Sequence, residues 1–278
     1  MKLHPQHGNL LLFDLLDGEE AIAHFSTTRV GGVSSGPFAS LNMGNFSDDS
    51  PLKIHENRQR IARMLYTPVE NFIIPHQTHG NRVLTVDADF LSLHQTEAVE
   101  ALYGVDAVVT NQQGVFLCVT TADCVPILLY DKGNEVIAAI HAGWKGTVGR
   151  IVENCLREME RQYGTSAGDV IVGMGPAISQ QHYEVGDELA EAFREKGFDL
   201  SDRAISYQEP RSGKWHIDLT EINRRELIRL GVPESQVEIS GLCTFEKQEL
   251  FFSARRQTIH SGRMLTGIKL EVGRAKKG

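Results

Sequence analysis

Three short segments place reactive side chains where apolar runs end. In IIPHQTHG, residues 73–80, Pro75 ends an extended run and Gly80 closes a turn, so His76 and His79 share one loop. In VTTADCVPILLY, residues 119–130, Asp123 and Cys124 interrupt two apolar stretches. In IAAIHAGWKGTVGRI, residues 137–151, an apolar run delivers His141 into a glycine-rich turn. Catalytic zinc takes three protein ligands from His, Cys and carboxylate and keeps a fourth position open. A thiolate with two imidazoles suits zinc or copper. His79, Cys124 and His141 form such a set, but their separations are long and only folding can join them. Cys124 with His141 as its base is also the pair a cysteine hydrolase needs. The plain alternative is that Cys124, between two apolar runs, is a small core residue. Cys118 within VFLCV and Cys155 on an apolar helix stripe read as core.

Other segments offer partners for an anion. STTRVGGVSSG, residues 26–36, sets Arg29 beside Gly31 and Gly32, whose backbone N–H groups could cradle a phosphate. The segment has neither the phosphate-loop nor the GxGxxG spacing, and a plain hairpin explains it as pattern alone. FFSARR, residues 251–256, puts Arg255 and Arg256 just beyond a strand, one a possible phosphate clamp and the other a solvated charge. A helix starting at Thr147 would aim free N–H groups at an anion. Asp123 is either a proton shuttle or a salt-bridged structural carboxylate.

Apolar runs predict the strands that position these residues: Ala21–Thr27, Phe72–Pro75, Arg82–Val86, Ala107–Thr110, Val115–Thr120, Val125–Tyr130, Val136–His141, Val170–Met174, Val237–Ser240 and Leu250–Ser253. Helical spacing of apolar residues predicts helices over Pro51–Leu65, Thr147–Tyr163, Tyr183–Lys196 and Leu219–Leu230, the last two stopped by Gly197 and Gly231. Many strands follow one another with no helix between. That favours an α+β layered sandwich with mixed sheets over a doubly wound parallel sheet. No linker divides the chain, so residues 1–278 are expected to form a single domain, with the Lys-containing tail after Leu270 as a frayed end.

The 278 residues are 41% hydrophobic and 23% charged, with a formal net charge of −8. Such a chain can bury a sizeable core, and its acidic balance gives no electrostatic reason to bind nucleic acid or an anionic membrane. No stretch approaches the roughly 20 apolar residues of a membrane helix. The N-terminal apolar run is too short for a signal segment, so the chain is read as untargeted and cytoplasmic. Four cysteines without CxxC spacing fit a reducing compartment.

The segments STTRVGGVS, SLNMG, ENR, HQTHG, TTADCVPIL, HAGWKGTVGRI, GPAIS, YEVG and FFSARR…SGRM, in this order, resemble the laccase-domain family, once labelled multicopper polyphenol oxidases. The resemblance spans about residues 22–268. It implies a zinc-dependent purine nucleoside phosphorylase acting on adenosine, inosine and S-methyl-5′-thioadenosine with phosphate, and adenosine deamination as a side activity. It also implies that His79, Cys124 and His141 are the zinc ligands, with His76 behind them. Arg29, Gly31, Gly32 and Arg255 are then candidates for phosphate. Copper-dependent phenol oxidation is the rival activity. It needs several coppers and many histidines, and this chain has 11 His and no HxH pair.

Overall fold

The computed structural model describes residues 1–45, 47–258 and 260–273. The tail expected to fray runs into residues 274–278, which lie outside them. Two six-stranded sheets form the centre. The first runs, in spatial order, Lys2–Leu3, Leu10–Leu12, Ile22–Thr27, Met264–Leu270, Phe116–Thr121 and Phe72–Ile73. The second runs Val237–Ile239, Val170–Met174, Val125–Asp131, Val136–Ala142, Ala107–Thr110 and Val83–Thr85. A small sheet of Glu184–Val185, Trp215–Ile217 and Ser206–Gln208 stands beside them. Val170–Met174 pairs in parallel with Val237–Ile239 and antiparallel with Val125–Asp131, so the second sheet is mixed. This is the layered α+β sandwich expected from the sequence.

Side-chain alternation explains the layering. In Phe116–Thr121, Leu117 and Val119 point between the two sheets, while Phe116 and Cys118 point to the opposite face, which Ile61 and Ala62 of helix Pro51–Met64 cover. In Val136–Ala142, Ile137 and Ala139 face the first sheet. Ala138 and Ile140 face helices Ile151–Tyr163 and Leu219–Arg229 on the other side. Both faces of the central strands are buried, so their sequences are continuous apolar runs rather than alternating ones. Among the described residues no helix is long and apolar enough to cross a membrane.

Four expectations change. Leu250–Ser253 is a buried loop, not a strand. The helix expected over Thr147–Tyr163 is two, Trp144–Val148 and Ile151–Tyr163, broken where Arg150 turns left-handed at φ 60°. Arg150 is held there by Glu226, by the Lys196 carbonyl and by the face of Phe198. Thr147 N–H already donates to Gly143 O, so no helix N-terminus faces an anion at Thr147. The helix expected from Tyr183 begins at Asp187, because Glu184–Val185 joins the small sheet.

Strand Met264–Leu270 was not expected, yet it pairs with both Ile22–Thr27 and Phe116–Thr121. Its polar residues hid it. Thr266 shares a hydrogen bond with Ser26, and Lys269 reaches Thr67 and Glu271. A Cβ on Gly267 would come within 2.5 Å of Cys118 Sγ, so this glycine permits the strands to pack.

Candidate metal centre

Strand register brings Cys124 and His141 together. In the Val125–Asp131 and Val136–Ala142 pair, Val125 lies opposite Ala142 and Pro126 opposite His141. Carrying the pleat one step further sets Cys124 opposite Gly143, on the face that carries His141. His79 arrives from the loop between Phe72–Ile73 and Val83–Thr85, and its ring meets that of His141 edge-on, with centroids 4.9 Å apart. One ligand atom from each of His79, Cys124 and His141 lies within 4.8 Å of the others, so the three can hold a metal ion. Gly143 backs this cluster. A Cβ there would stand 3.1 Å from Cys124 Sγ and 3.2 Å from His79 Cδ2, crowding two of the three side chains.

The loops that carry His79 and Cys124 hold uncommon backbone. His79 has φ 63° and Asp123 has φ 90°. Non-glycine residues sit in the left-handed region only where their surroundings hold them. For His79 the hold is Asp106, fully buried at the base of the loop. Its Oδ1 accepts from His79 N–H, and its Oδ2 from Thr78 N–H and Gly80 N–H. Oδ1 also lies 2.7 Å from His141 Nδ1. A carboxylate on Nδ1 fixes the ring and turns Nε2 toward a metal. Gln77 ties the same loop to Thr120 through backbone N–H, backbone carbonyl and hydroxyl.

The electrostatics suit a thiolate. Burial alone would push the Cys124 thiol up, but His141 and His79 outweigh it and bring it down to about 6. Burial alone would lower His141, but the Cys124 thiolate and Asp106 raise it to about 9. Burial likewise works against the Asp106 carboxylate, yet His141 and the backbone N–H donors hold its pKa below the ordinary carboxylate value.

The three side chains lie in a cleft of about 440 Å³ lined also by Asp123, Trp144, Tyr183, Arg255 and Arg263. A larger groove, about 840 Å³, runs between helices Ile151–Tyr163 and Leu219–Arg229. Its Arg157 and Arg229 pair with Glu153, and among the described residues neither group that could hold a metal ion lines it, so the smaller cleft is the candidate site.

The other expected residues divide. Arg255 lines the cleft; its guanidinium donates to Glu184 O and lies over the ring of Tyr183. Asp123 also lines it, but its oxygens are engaged by Thr244 hydroxyl at 2.6 Å, Ser253 hydroxyl at 3.0 Å and Arg255 N–H at 2.6 Å. The carboxylate is thus held in the cleft wall by neutral donors, and among the described residues no ion pair is seen for it.

Arg29, Gly31 and Gly32 do not reach the cleft. The Arg29 guanidinium donates to the carbonyls of Ala39 and Gln248 and covers Phe252. Gly31 O accepts from Arg60, and Gly32 packs so tightly on Ser40 that a Cβ would collide with its backbone. In this structure the three residues pack their own loop and are not among the residues lining the cleft. His76 packs edge-on against Tyr103. Asp106, Tyr183 and Arg263 were not singled out from sequence. Only the SGRM segment pointed toward Arg263, and nothing local marked Asp106.

A family model described as multi-copper polyphenol oxidoreductase laccase matches residues 23–271. The chain is 44% identical to a purine nucleoside phosphorylase of Bacteroides thetaiotaomicron, over 94% of this chain and 96% of that one. It is 41% identical to adenosine deaminase RL5 of an unknown prokaryotic organism, over 92% and 96% of the two chains. The crystal structure of Bacillus licheniformis hypothetical protein YfiH superposes with a TM-score of 0.86 at 31% identity, covering 95% of this chain and 97% of that one.

Proposed function

The chain belongs to the multi-copper polyphenol oxidoreductase laccase family, and on that footing we propose that it is a zinc-dependent purine nucleoside phosphorylase of the cytoplasm. Its substrates are adenosine, inosine and S-methyl-5′-thioadenosine, with adenosine deamination as a side activity. One observation carries this reading: a three-ligand His/Cys/His group opens into a cleft that two arginines and two aromatic rings also line. Relatives named purine nucleoside phosphorylase and adenosine deaminase support it.

The donor set fits zinc, being one thiolate and two imidazoles with room for a fourth partner. His79, Cys124 and His141 would hold the zinc, which would supply Lewis-acid chemistry toward phosphate or water. The remaining work belongs to the protein. Arg255 and Arg263 attract phosphate and orient it, as planar guanidinium groups do. Trp144 and Tyr183 offer flat faces to the sugar and the purine. Asp123 accepts from the backbone N–H of Arg255 and so fixes the backbone from which that side chain extends. Phosphate then bonds to C1′ as the bond to the purine nitrogen breaks, through an oxocarbenium-like transition state. The bonding electrons leave with the base, which takes up a proton from water, and an oriented anion stabilises the charge that develops on the sugar. Deamination uses water at C6 of adenine instead.

A second reading has a specific observation behind it. Asp106, His141 and Cys124 are arranged as a cysteine hydrolase would need, with a lowered thiol and a carboxylate-held imidazole. His79 has no part in that mechanism, whereas it completes a metal site. The deciding experiment supplies adenosine with and without phosphate and separates the products. Adenine and ribose 1-phosphate should form only with phosphate, while inosine formation persists without it. Both should stop on chelation and return with zinc. Equal cleavage by chelated and zinc-loaded protein would overturn the zinc mechanism. Oxygen consumption with phenols that requires added copper would favour the laccase activity instead.

A further inference from the structure

Behind one wall of the cleft lies a second group of metal-ligating side chains. We propose that His182, Cys243 and Glu246 bind a second cation of the zinc class, and that this cation ties the segment before Tyr183 to the segment that supports Asp123.

The geometry is close to what such an ion requires. One ligand atom from each residue lies within 4.8 Å of the others. His182 Nδ1 is 4.0 Å from Cys243 Sγ and 3.4 Å from Glu246 Oε1. Ligand atoms around tetrahedral zinc stand roughly 3.3–3.6 Å apart, given its bond lengths to nitrogen, oxygen and sulfur. Small side-chain rotations therefore close the site. The surroundings are also arranged for it. Ser179 N–H points at Cys243 Sγ from 3.4 Å, an outer contact of the kind that orients a metal-binding side chain. Phe245 stacks on the His182 ring at 4.7 Å and 25°, which fixes the plane of the imidazole. Ser179 Oγ, 3.2 Å from His182 Nδ1, supplies a further oxygen beside the same nitrogen. Cys243 is buried, His182 half-buried and Glu246 exposed, so the group is open to solvent on one side.

Sulfur, nitrogen and a single carboxylate select zinc or its thiophilic neighbours over magnesium and calcium, which demand oxygen. The position gives the ion a consequence. Tyr183, next to His182, lines the catalytic cleft and lies beneath the Arg255 guanidinium. Thr244, next to Cys243, donates its hydroxyl to Asp123, whose other oxygen receives Arg255 N–H. An ion bridging His182 to Cys243 and Glu246 holds both supports of Arg255 in one frame.

Metal counting tests this without reference to turnover. Chelator-stripped protein is dialysed against excess Zn²⁺, freed of loose metal and analysed for zinc per chain. Two zinc per chain are expected for the wild type, one for Cys124→Ala, one for Cys243→Ala and none for the double variant. Co²⁺ added to Cys124→Ala should give a thiolate-to-cobalt charge-transfer band that Cys243→Ala removes in that background. Glu246→Gln, at an exposed position, guards against a folding artefact. In the Cys124→Ala background it should weaken Zn²⁺ binding by roughly tenfold or more, the scale on which groups around a metal act, with the melting temperature of the stripped protein unchanged. A Cys124→Ala protein that holds no zinc, or a cobalt band that survives loss of Cys243, overturns the proposal.

Discussion

Asp106 Oδ1 lies 2.7 Å from His141 Nδ1, and the same carboxylate accepts the backbone N–H groups of Thr78, His79 and Gly80. One buried acid thus orients one candidate metal ligand, His141, through its ring and another, His79, through its backbone. Asp106→Asn keeps the shape but must turn an NH₂ group toward one of these donors. Metal affinity should fall by about 10- to 100-fold, as measured by competition with a chelator. Unchanged affinity would remove Asp106 from the metal site.

Gly143 has φ −77° and ψ 173°, a conformation alanine adopts without strain. Any effect of Gly143→Ala therefore comes from the added Cβ, which would stand 3.1 Å from Cys124 Sγ. Zinc per chain should drop sharply, while the metal-free variant melts close to the metal-free wild type. A variant that keeps full zinc would show that the ion does not occupy the space in front of Gly143.

The arginines separate by role. Arg255→Ala and Arg263→Lys should raise KM for phosphate more than KM for nucleoside, since both residues line the cleft. Arg29→Ala should leave both KM values near wild type and lower the melting temperature, because its donors go to the Ala39 and Gln248 carbonyls. The three variants, assayed side by side with phosphate varied, give the answer. A selective phosphate effect from Arg29 would reverse the assignment.

His24 supplies a pH dependence remote from the metal. Its Nε2 accepts Phe13 N–H at 2.8 Å, and burial lowers its pKa to about 4. An unfolded histidine titrates near 6.5. The unfolded state therefore takes up a proton first as the pH falls. The stability tied to neutral His24 is complete above about pH 6.5 and is lost progressively toward pH 4, roughly 3 kcal/mol in all. In metal-free protein, His24→Gln should show a smaller loss in urea midpoint between pH 7.5 and pH 4.5. An identical pH dependence in the two proteins would rule out His24 as its source.

The strands that carry the site were legible because both of their faces are buried. Val125–Asp131 and Val136–Ala142 are nearly continuous apolar runs, and burial on two sides leaves no other reading. Where buried polar residues find partners the pattern fails, as in Met264–Leu270, whose Thr266 and Lys269 are satisfied by Ser26, Thr67 and Glu271. Arg150 broke a helix whose apolar spacing ran on unbroken, because its backbone is decided by Glu226, Lys196 and Phe198 from other parts of the chain.

The same division holds in the site. His79, Cys124 and His141 could be named from their residue types, from apolar runs that end at them, and from the ordered segments that resemble a known family. Their convergence is a matter of register and of a left-handed turn at His79, neither of which is written in local sequence. Asp106 follows only from the fold, since a lone acid before an apolar strand looks like any other until four donors surround it. Arg29 shows the reverse case. Beside two glycines it has the chemistry of a phosphate ligand, yet the folded chain spends its guanidinium on two backbone carbonyls and a phenyl face. Sequence sets which side chains can bind, accept or attack. Tertiary structure sets which of them still have atoms to spare, because each buried donor and acceptor must first find a partner.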